Sequence, residues 1–154
     1  LFDPIAPPSE IEKLAAEREA AVVLTAPWHM RTYGITAEQA GDGSPDVVWL
    51  LKEGIGEAHL YAAGDRLDVG AEAFPGQKRN DLVLWIESHR AVIAGDTLVD
   101  FGGGLGINPR WLHPDMPREQ VVDGLRPLLE LPVEHVLPAH GAPTDRAALE
   151  RALS

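Results

Sequence analysis

The chain has 154 residues, of which 45% are hydrophobic and 24% are charged. This length and composition suit one compact domain with a buried core, so we predict a single domain over residues 1–154. Asp and Glu number 24 against 13 Lys and Arg, which gives a formal net charge of −11 at pH 7. Because nucleic acids and anionic membranes bind clustered basic residues, this balance argues against both as partners. The other interpretation of the acidic excess is that it keeps the protein soluble.

The sequence contains no cysteine, which excludes disulfides, cysteine-based zinc sites and thiol nucleophiles. Any metal ion must then be bound by His, Asp or Glu. No apolar run approaches the roughly 20 residues that a membrane-spanning helix needs, and no secretory signal pattern opens the chain. We therefore expect a cytoplasmic protein. Since the chain begins at Leu1 and not at Met, we also expect that an N-terminal piece is missing.

In the first third of the chain, apolar periodicity predicts helices and strands in alternation. Ser9 and Glu12 have the spacing of a capping box at the start of a helix of about three turns. The β-branched and apolar run from Ala21 to Thr25 predicts a buried strand. A second helix start is predicted at Thr36, and the apolar segment Val47 to Leu51 follows a turn sequence.

The sequence pattern in the middle of the chain predicts several strands of a sheet. Apolar residues alternate with polar ones from Leu67 to Phe74, which predicts a half-buried strand. Leu82 to Ile86 and Ala91 to Ala94 are apolar runs joined by four polar residues, the pattern of a hairpin. The helical face from Val121 to Leu129 follows, and Pro127 should divide that helix because it removes a backbone donor.

The end of the chain predicts one more strand and one more helix. Val133 to Leu137 is a short apolar run, and Thr144 is the expected cap of a closing helix that carries Leu149 and Leu153. Strands and helices are therefore interleaved along the whole sequence. We predict a mixed α/β (α+β) domain with helices packed on sheet.

Two of the predicted buried strands end in residues that can bind a metal ion. Asp96 follows Gly95 at the end of the run that begins at Ala91, and His140 precedes Gly141 after the strand that ends at Leu137. If these strand ends converge, a carboxylate and an imidazole meet at one site. The alternative is that Asp96 only caps a turn and His140 only bonds to a backbone carbonyl.

Together these two segments resemble the Gly-Asp-Thr-Leu and Pro-x-His-Gly blocks of the metallo-β-lactamase superfamily, which are separated by an amphipathic helix. The resemblance covers nearly the whole chain, since Leu1–Pro4 and Val23–Thr25 are similar to the strands before the first helix and before the main metal motif. It implies a metallo-β-lactamase-like αββα sandwich that lacks the first strand pair or so. In that family the aspartate bridges two metal ions and the histidine binds one of them. The resemblance assigns these roles, and with them the catalytic site, to Asp96 and His140.

Other ligand motifs of the family are replaced. Members that bind two metals have Thr-His-x-His-x-Asp-His where this chain has Thr25-Ala-Pro-Trp-His-Met-Arg31. The family motif Pro-Gly-His-Thr is Pro75-Gly-Gln-Lys78 here. The resemblance also implies that the glycine-rich loop from Phe101 to Gly106 lies beside the pocket. The residues expected to line the pocket are Thr25, Trp28, His29, Arg31, Gln77, Lys78 and Gly104.

Counting ligands limits the metal that such a site can hold. A catalytic zinc ion usually takes three protein ligands and a water, whereas the matching positions supply Asp96 and His140. His29 lies between two former ligand positions and is the candidate third ligand; the alternative is a solvated or backbone-bonded imidazole. The sequence thus predicts either no cofactor or one zinc ion. As a hypothesis, Arg31, alone or with Lys78, neutralises Asp96 and excludes at least the second metal; the alternative is that both are surface cations.

Two functions are consistent with these residues. The first is a hydrolase with a reduced, mononuclear metal centre, where a bound water attacks an ester, thioester, lactam or phosphoester. The second is a non-catalytic member of the fold that binds no metal and uses the old pocket or a partner surface. A small-molecule ligand is the expected partner, and the oligomeric state is left open.

Overall fold

The computed structural model of the chain describes residues 1–3, 8–18, 20–26, 47–51, 54–59, 61–78 and 81–154. The chain divides into two compact units, Leu1–Tyr61 and Ala62–Ser154. The single domain expected over residues 1–154 therefore stays a prediction. No helix in these ranges is long and apolar enough to cross a membrane.

The Leu1–Tyr61 unit contains one described helix and one three-stranded sheet. Helix α1 is Ser9–Glu17, and the strands are β1 (Ala20–Val23), β2 (Val47–Leu51) and β3 (Gly54–His59). All neighbouring strands are antiparallel, in the order β1-β2-β3. The strand predicted from Ala21 to Thr25 is confirmed as β1, and the apolar segment Val47 to Leu51 forms β2. Strand β3 was not predicted, because two glycines and a glutamate interrupt its apolar pattern.

The start of α1 differs from the prediction. Pro8 is the N-cap residue and no side chain caps the helix. Ser9 is already the first helical residue, and its hydroxyl lies 3.4 Å from a carboxylate oxygen of Glu10. The predicted capping box is therefore wrong by one position, although the helix itself is confirmed. The helix start expected at Thr36 lies outside the described residues.

The Ala62–Ser154 unit is built on a six-stranded sheet whose strands follow one another in sequence order. Neighbouring strands are antiparallel except β7 and β8, which are parallel. A parallel pair needs a crossover, and the long segment between β7 and β8 supplies it. The strands are β4 (Arg66–Leu67), β5 (Ala71–Pro75), β6 (Leu82–Ile86), β7 (Ala91–Gly95), β8 (His135–Pro138) and β9 (Thr144–Asp145).

The turns of this sheet determine which of the strands predicted from the sequence are confirmed. The hairpin of β6 and β7 is confirmed, and its turn is the 3-10 segment Glu87–His89 followed by Arg90 in the left-handed region. The single strand predicted from Leu67 to Phe74 is wrong. A turn that ends at Gly70, with φ +78°, divides it into β4 and β5. Glycine adopts this conformation without the penalty that a side chain would meet.

Two helices and a 3-10 segment complete this unit. Helix α2 is Arg118–Leu125, and the 3-10 segment Arg126–Glu130 continues it. The division predicted at Pro127 is confirmed, because proline cannot donate the α-helical hydrogen bond. Helix α3, Arg146–Ala152, closes the chain.

Alternate residues of β6 and β7 face the core of this unit. Val83 and Trp85 of β6 share a buried cluster with Val92 and Ala94 of β7, as expected for one face of a pleated sheet. The helices and the crossover cover that face. Their buried residues in the cluster are Leu98, Ile107, Val121, Val122, Leu125, Leu128, Val133, Leu149, Ala152 and Leu153. The core therefore supports β7, the strand that carries Asp96 at its end.

The cap of α3 is Asp145 and not Thr144. Asp145 Oδ1 accepts a hydrogen bond from the backbone N–H of Ala148 at 2.9 Å, whereas Thr144 lies in β9. The predicted cap was wrong by one residue because an aspartate, an equally good cap, follows the threonine.

Replacing Asp145 by alanine is expected to lower the free energy of unfolding by about 1 kcal/mol, since it leaves a first-turn N–H of α3 without its acceptor. Asp145→Asn is the matched control, because asparagine caps as well as aspartate. Urea unfolding curves of both variants test this. Equal stability of Asp145→Ala and the parent protein would show that the cap contributes nothing.

Candidate functional site

Asp96 and His140 lie together at one edge of the sheet. Strands β7 and β8 are parallel neighbours, so their carboxyl ends meet at the same edge. The Nε2 atom of His140 is 3.5 Å from Oδ1 of Asp96. The Asp96 side chain is 11% exposed and that of His140 is 49% exposed. The two residues therefore present one nearly buried carboxylate and one accessible imidazole to the same place.

The backbone around His140 is fixed by close contacts with the segment after β7. The carbonyl of His140 accepts a hydrogen bond from the N–H of Asp100 at 2.8 Å, and Ala139 N–H donates to the carbonyl of Gly95 at 3.0 Å. Gly141 has φ +117°, and a Cβ atom there would lie 2.9 Å from Cβ of Asp100. Only glycine fits this position. The His-Gly pair is thus explained by how closely the two segments pack.

Gln77 supports the backbone of Asp96. Its side chain is fully buried, and its Nε2 donates to the carbonyl oxygen of Asp96 at 2.7 Å. The Oε1 atom of Gln77 accepts no hydrogen bond within the described part of the chain. Gln77 therefore binds the main chain of Asp96, the residue whose side chain faces His140.

Asp81 and Thr97 form a buried polar cluster next to the backbone of Gln77. The hydroxyl of Thr97 donates to Oδ2 of Asp81 at 2.7 Å. The backbone N–H of Gln77 donates to both Oδ2 of Asp81 and Oγ1 of Thr97, each at 3.1 Å. Asp81 and Thr97 are almost completely buried. This Asp81–Thr97 cluster ties the segment around Gln77 to the residue that follows Asp96.

Asp81 was not predicted from the sequence as a site residue. One signal was available, because an aspartate stands directly before the fully apolar strand β6, and carboxylates are rarely buried unless they are paired. Gly76 completes the arrangement, since its N–H donates to the carbonyl of Asp81 at 2.7 Å. A Cβ atom on Gly76 would come within 2.6 Å of both the Asp81 carboxylate and the Thr97 hydroxyl. The glycine of the Pro-Gly-Gln-Lys segment is therefore needed for packing.

The glycine-rich loop is held by its own hydrogen bonds. Val99 and Gly106 exchange two backbone hydrogen bonds of 2.9 and 3.0 Å across its base. Oδ1 of Asp100 accepts from the N–H groups of Gly102 and Gly104 at 2.7 and 3.0 Å. Both of these glycines have positive φ, +98° and +95°. Asp100 thus organises the loop tip, and the pocket-lining role of Gly104 stays a prediction.

Two aromatic rings surround the imidazole of His140. The ring centroid of Phe101 lies 5.5 Å from that of His140, and the centroid of Trp111 lies 5.4 Å from it. Phe101 and Trp111 also pack edge to face at 5.6 Å. Neither aromatic was predicted as a site residue, although the loop that begins at Phe101 was expected to lie beside the pocket. The available signal was a phenylalanine directly before a run of three glycines.

The remaining predicted site residues divide into three groups. Thr25 lies in the Leu1–Tyr61 unit, where its hydroxyl donates to Oδ2 of Asp3 at 2.5 Å and its N–H donates to Oδ1 at 2.9 Å. Lys78 follows Gln77 and is partly buried. The third group, Trp28, His29 and Arg31, lies outside the described residues. The hypothesis that Arg31 neutralises Asp96 therefore stays a hypothesis.

The separation of Asp96 and His140 suits two ligands of one metal ion. Two ligands at about 2.0–2.2 Å from a tetrahedral zinc lie roughly 3.4 Å apart, close to the observed 3.5 Å between Oδ1 and Nε2. The described part of the chain contains no group of three or more His, Cys, Asp or Glu side chains that could hold a metal. The pair thus fits two positions of a coordination sphere.

Comparison with known proteins finds similarity among solved structures alone. No family model matches the chain, and no curated protein matches it. The protein TTHA1623, crystallised in a di-iron-bound form, is similar over 99% of this chain and 86% of its own, with 22% identity and a TM-score of 0.60. DIM-1 metallo-β-lactamase is similar over 92% of this chain, with 18% identity and a TM-score of 0.50. TMB-1 is similar over 86%, with 16% identity and a TM-score of 0.50.

The chain spans 59% of the DIM-1 chain and 54% of the TMB-1 chain, which is less than two thirds of either. At 16–22% identity the likeness is one of fold. It confirms the fold class that was predicted from the sequence.

Proposed function

We propose, from the premise that the chain has the metallo-β-lactamase fold, that it is a hydrolase-like protein whose site at Asp96 and His140 holds at most one metal ion. The observation that carries the proposal is the 3.5 Å approach of His140 Nε2 to Asp96 Oδ1. The two groups stand on adjacent parallel strands, at the edge where their carboxyl ends meet. The substrate is proposed only as a small molecule with a hydrolysable ester, thioester, lactam or phosphoester bond.

Asp96 and His140 would provide one oxygen and one nitrogen ligand. When bound, a metal ion at such a pair polarises a carbonyl or phosphoryl oxygen and lowers the pKa of a bound water. The imidazole of His140 is half exposed, so that a ligand from solvent can reach it. The Asp96 carboxylate is nearly buried, so the surrounding protein restricts its orientation. Asp96 would therefore be the fixed ligand, and His140 the ligand that solvent can reach.

The neighbouring residues support a preformed site. Gln77 holds the carbonyl of Asp96, and the Asp81–Thr97 cluster holds the next residue. Asp100 holds the carbonyl of His140. Groups of this kind keep ligand side chains in place before a metal or substrate arrives.

A second candidate function is binding without metal or catalysis. It is favoured by Gln77, which occupies a family ligand position and directs its amide nitrogen to the carbonyl of Asp96. In this case the same edge of the sheet binds a small molecule that is not converted.

Zinc binding distinguishes the two candidates. The test combines elemental analysis of protein purified without chelator with thermal unfolding in a zinc titration. A zinc concentration 100-fold above Kd should raise the Tm by roughly 5–10 °C. We expect this shift, with no more than one equivalent of metal, and we expect Asp96→Asn and His140→Gln to abolish it because each removes one ligand.

His135→Gln is the matched control, since it removes an exposed histidine from the start of β8. Its zinc response should equal that of the parent protein. An unchanged response in Asp96→Asn and His140→Gln would place the metal elsewhere. A parent protein that neither contains metal nor responds to zinc would favour the binding candidate.

A further inference from the structure

An exposed phenylalanine lies beside the candidate site. Phe101 is 66% exposed, the largest value among the exposed large hydrophobic residues of the described chain. The other members of that set are Leu1, Ile11 and Leu14, all in the Leu1–Tyr61 unit. Covering an apolar side chain of this size lowers the free energy of the protein in water. Phe101 instead keeps most of its surface open next to His140.

The loop that carries Phe101 is built to hold it there. Asp100 Oδ1 fixes the two glycines that follow, and the Val99–Gly106 bridge closes the base of the loop. The ring itself is supported on one side by the edge-to-face contact with Trp111. Phe101 is thus exposed on an organised loop, and its position relative to His140 is set before any ligand binds.

The three rings form one aromatic surface. Phe101, Trp111 and His140 have pairwise centroid distances of 5.4–5.6 Å. The planes of Phe101 and His140 are tilted by 37°, and Trp111 meets both rings close to edge on. A planar ring gains more from edge-to-face or offset contact with such rings than a saturated ring of equal size does.

We infer that Phe101 and Trp111 recognise a planar aryl group on the ligand of the His140 site. This inference rests on the proposed function, in that the ligand is a small molecule whose polar end lies at Asp96 and His140. The aryl group packs against Phe101 and Trp111, and the attached carbonyl or phosphoryl group reaches the imidazole. Esters, thioesters, lactams and phosphoesters that carry an aryl substituent are the substrate class.

The test uses two neutral probes, phenylacetamide and cyclohexylacetamide, which differ in the aromaticity of the ring and little in size. Binding is followed by chemical-shift changes of His140 and Phe101 in NMR titrations, in the presence of chelator. The parent protein should bind phenylacetamide more tightly than cyclohexylacetamide by about 2- to 10-fold. Phe101→Leu and Trp111→Leu should remove this preference, and Phe101→Tyr, which keeps the ring, should retain it.

Phe101→Leu separates recognition from structural support, because it keeps an apolar side chain on the loop and removes the ring. Thermal unfolding of each variant confirms that it is folded. A parent protein that binds neither probe, or binds both equally, would overturn the inference. A preference for the aryl probe that survives in Phe101→Leu would do the same. Because chelator is present throughout, failure of the metal proposal leaves this result unchanged.

Discussion

Replacing Gly76 by alanine is expected to lower the free energy of unfolding by about 3 kcal/mol. The added Cβ would lie 2.5 Å from Cγ of Asp81 and 2.6 Å from Oγ1 of Thr97. Both of these side chains are buried and bonded to each other, so neither can move without breaking a buried hydrogen bond. The substitution combines overpacking with the loss of polar contacts.

Gly103→Ala is the matched control for Gly76→Ala. No atom lies within 4 Å of the position of its Cβ, and its φ is not in the left-handed region. Its effect should stay within about 0.5 kcal/mol, as for an ordinary surface substitution. Denaturant unfolding curves measure both. Equal effects of the two substitutions would contradict the tight packing of Gly76 against the Asp81–Thr97 cluster.

Replacing Leu125 by alanine should lower the free energy of unfolding by about 2–5 kcal/mol, the range for a leucine removed from a close-packed core. Leu125 is fully buried at the end of α2 and belongs to the cluster that packs on β6 and β7. Leaving a cavity there weakens the contact between the crossover and the strand that carries Asp96.

Leu125→Met is the volume-conserving control and should lower the stability by less than about 1.5 kcal/mol. Urea unfolding gives both values. A loss below about 1 kcal/mol for Leu125→Ala would mean that the site collapses around the deletion, and would contradict a well-packed core at this position. The comparison with methionine shows whether the missing volume is responsible.

Local patterns in the sequence were sufficient for the elements that carry the site. The hairpin of β6 and β7 followed from two apolar runs around a polar turn. The division of the helix at Pro127 followed from one missing donor. Asp96 and His140 were identified as candidate ligands because each ends an apolar run next to a glycine. These features depend on residues near in sequence, which is why the sequence shows them.

Contacts between distant segments could not be predicted in the same way. The partnership of Asp81 with Thr97 joins residues on either side of the β6–β7 hairpin. The aromatic surface at His140 joins residues of the glycine-rich loop with Trp111 and the end of β8. Neither has a periodicity or a spacing that marks it. Gln77 was predicted only to line the pocket, and its hydrogen bond to the carbonyl of Asp96 depends on the same tertiary packing.

Short-range errors have a different cause. The strand predicted from Leu67 to Phe74 failed because Gly70 permits a turn inside an alternating pattern. The cap of α3 moved from Thr144 to Asp145 because two adjacent residues have suitable oxygens. In each case the sequence pattern allows two local structures and does not choose between them.

The most direct test of the proposed site is anomalous X-ray scattering at the zinc edge from crystals grown with zinc. The proposal predicts one peak that contacts both Nε2 of His140 and the carboxylate of Asp96. Crystals of Asp96→Asn should lack it. Two peaks at this edge of the sheet would contradict a site for at most one metal. A protein that binds no zinc at Asp96 and His140 would contradict the metal proposal.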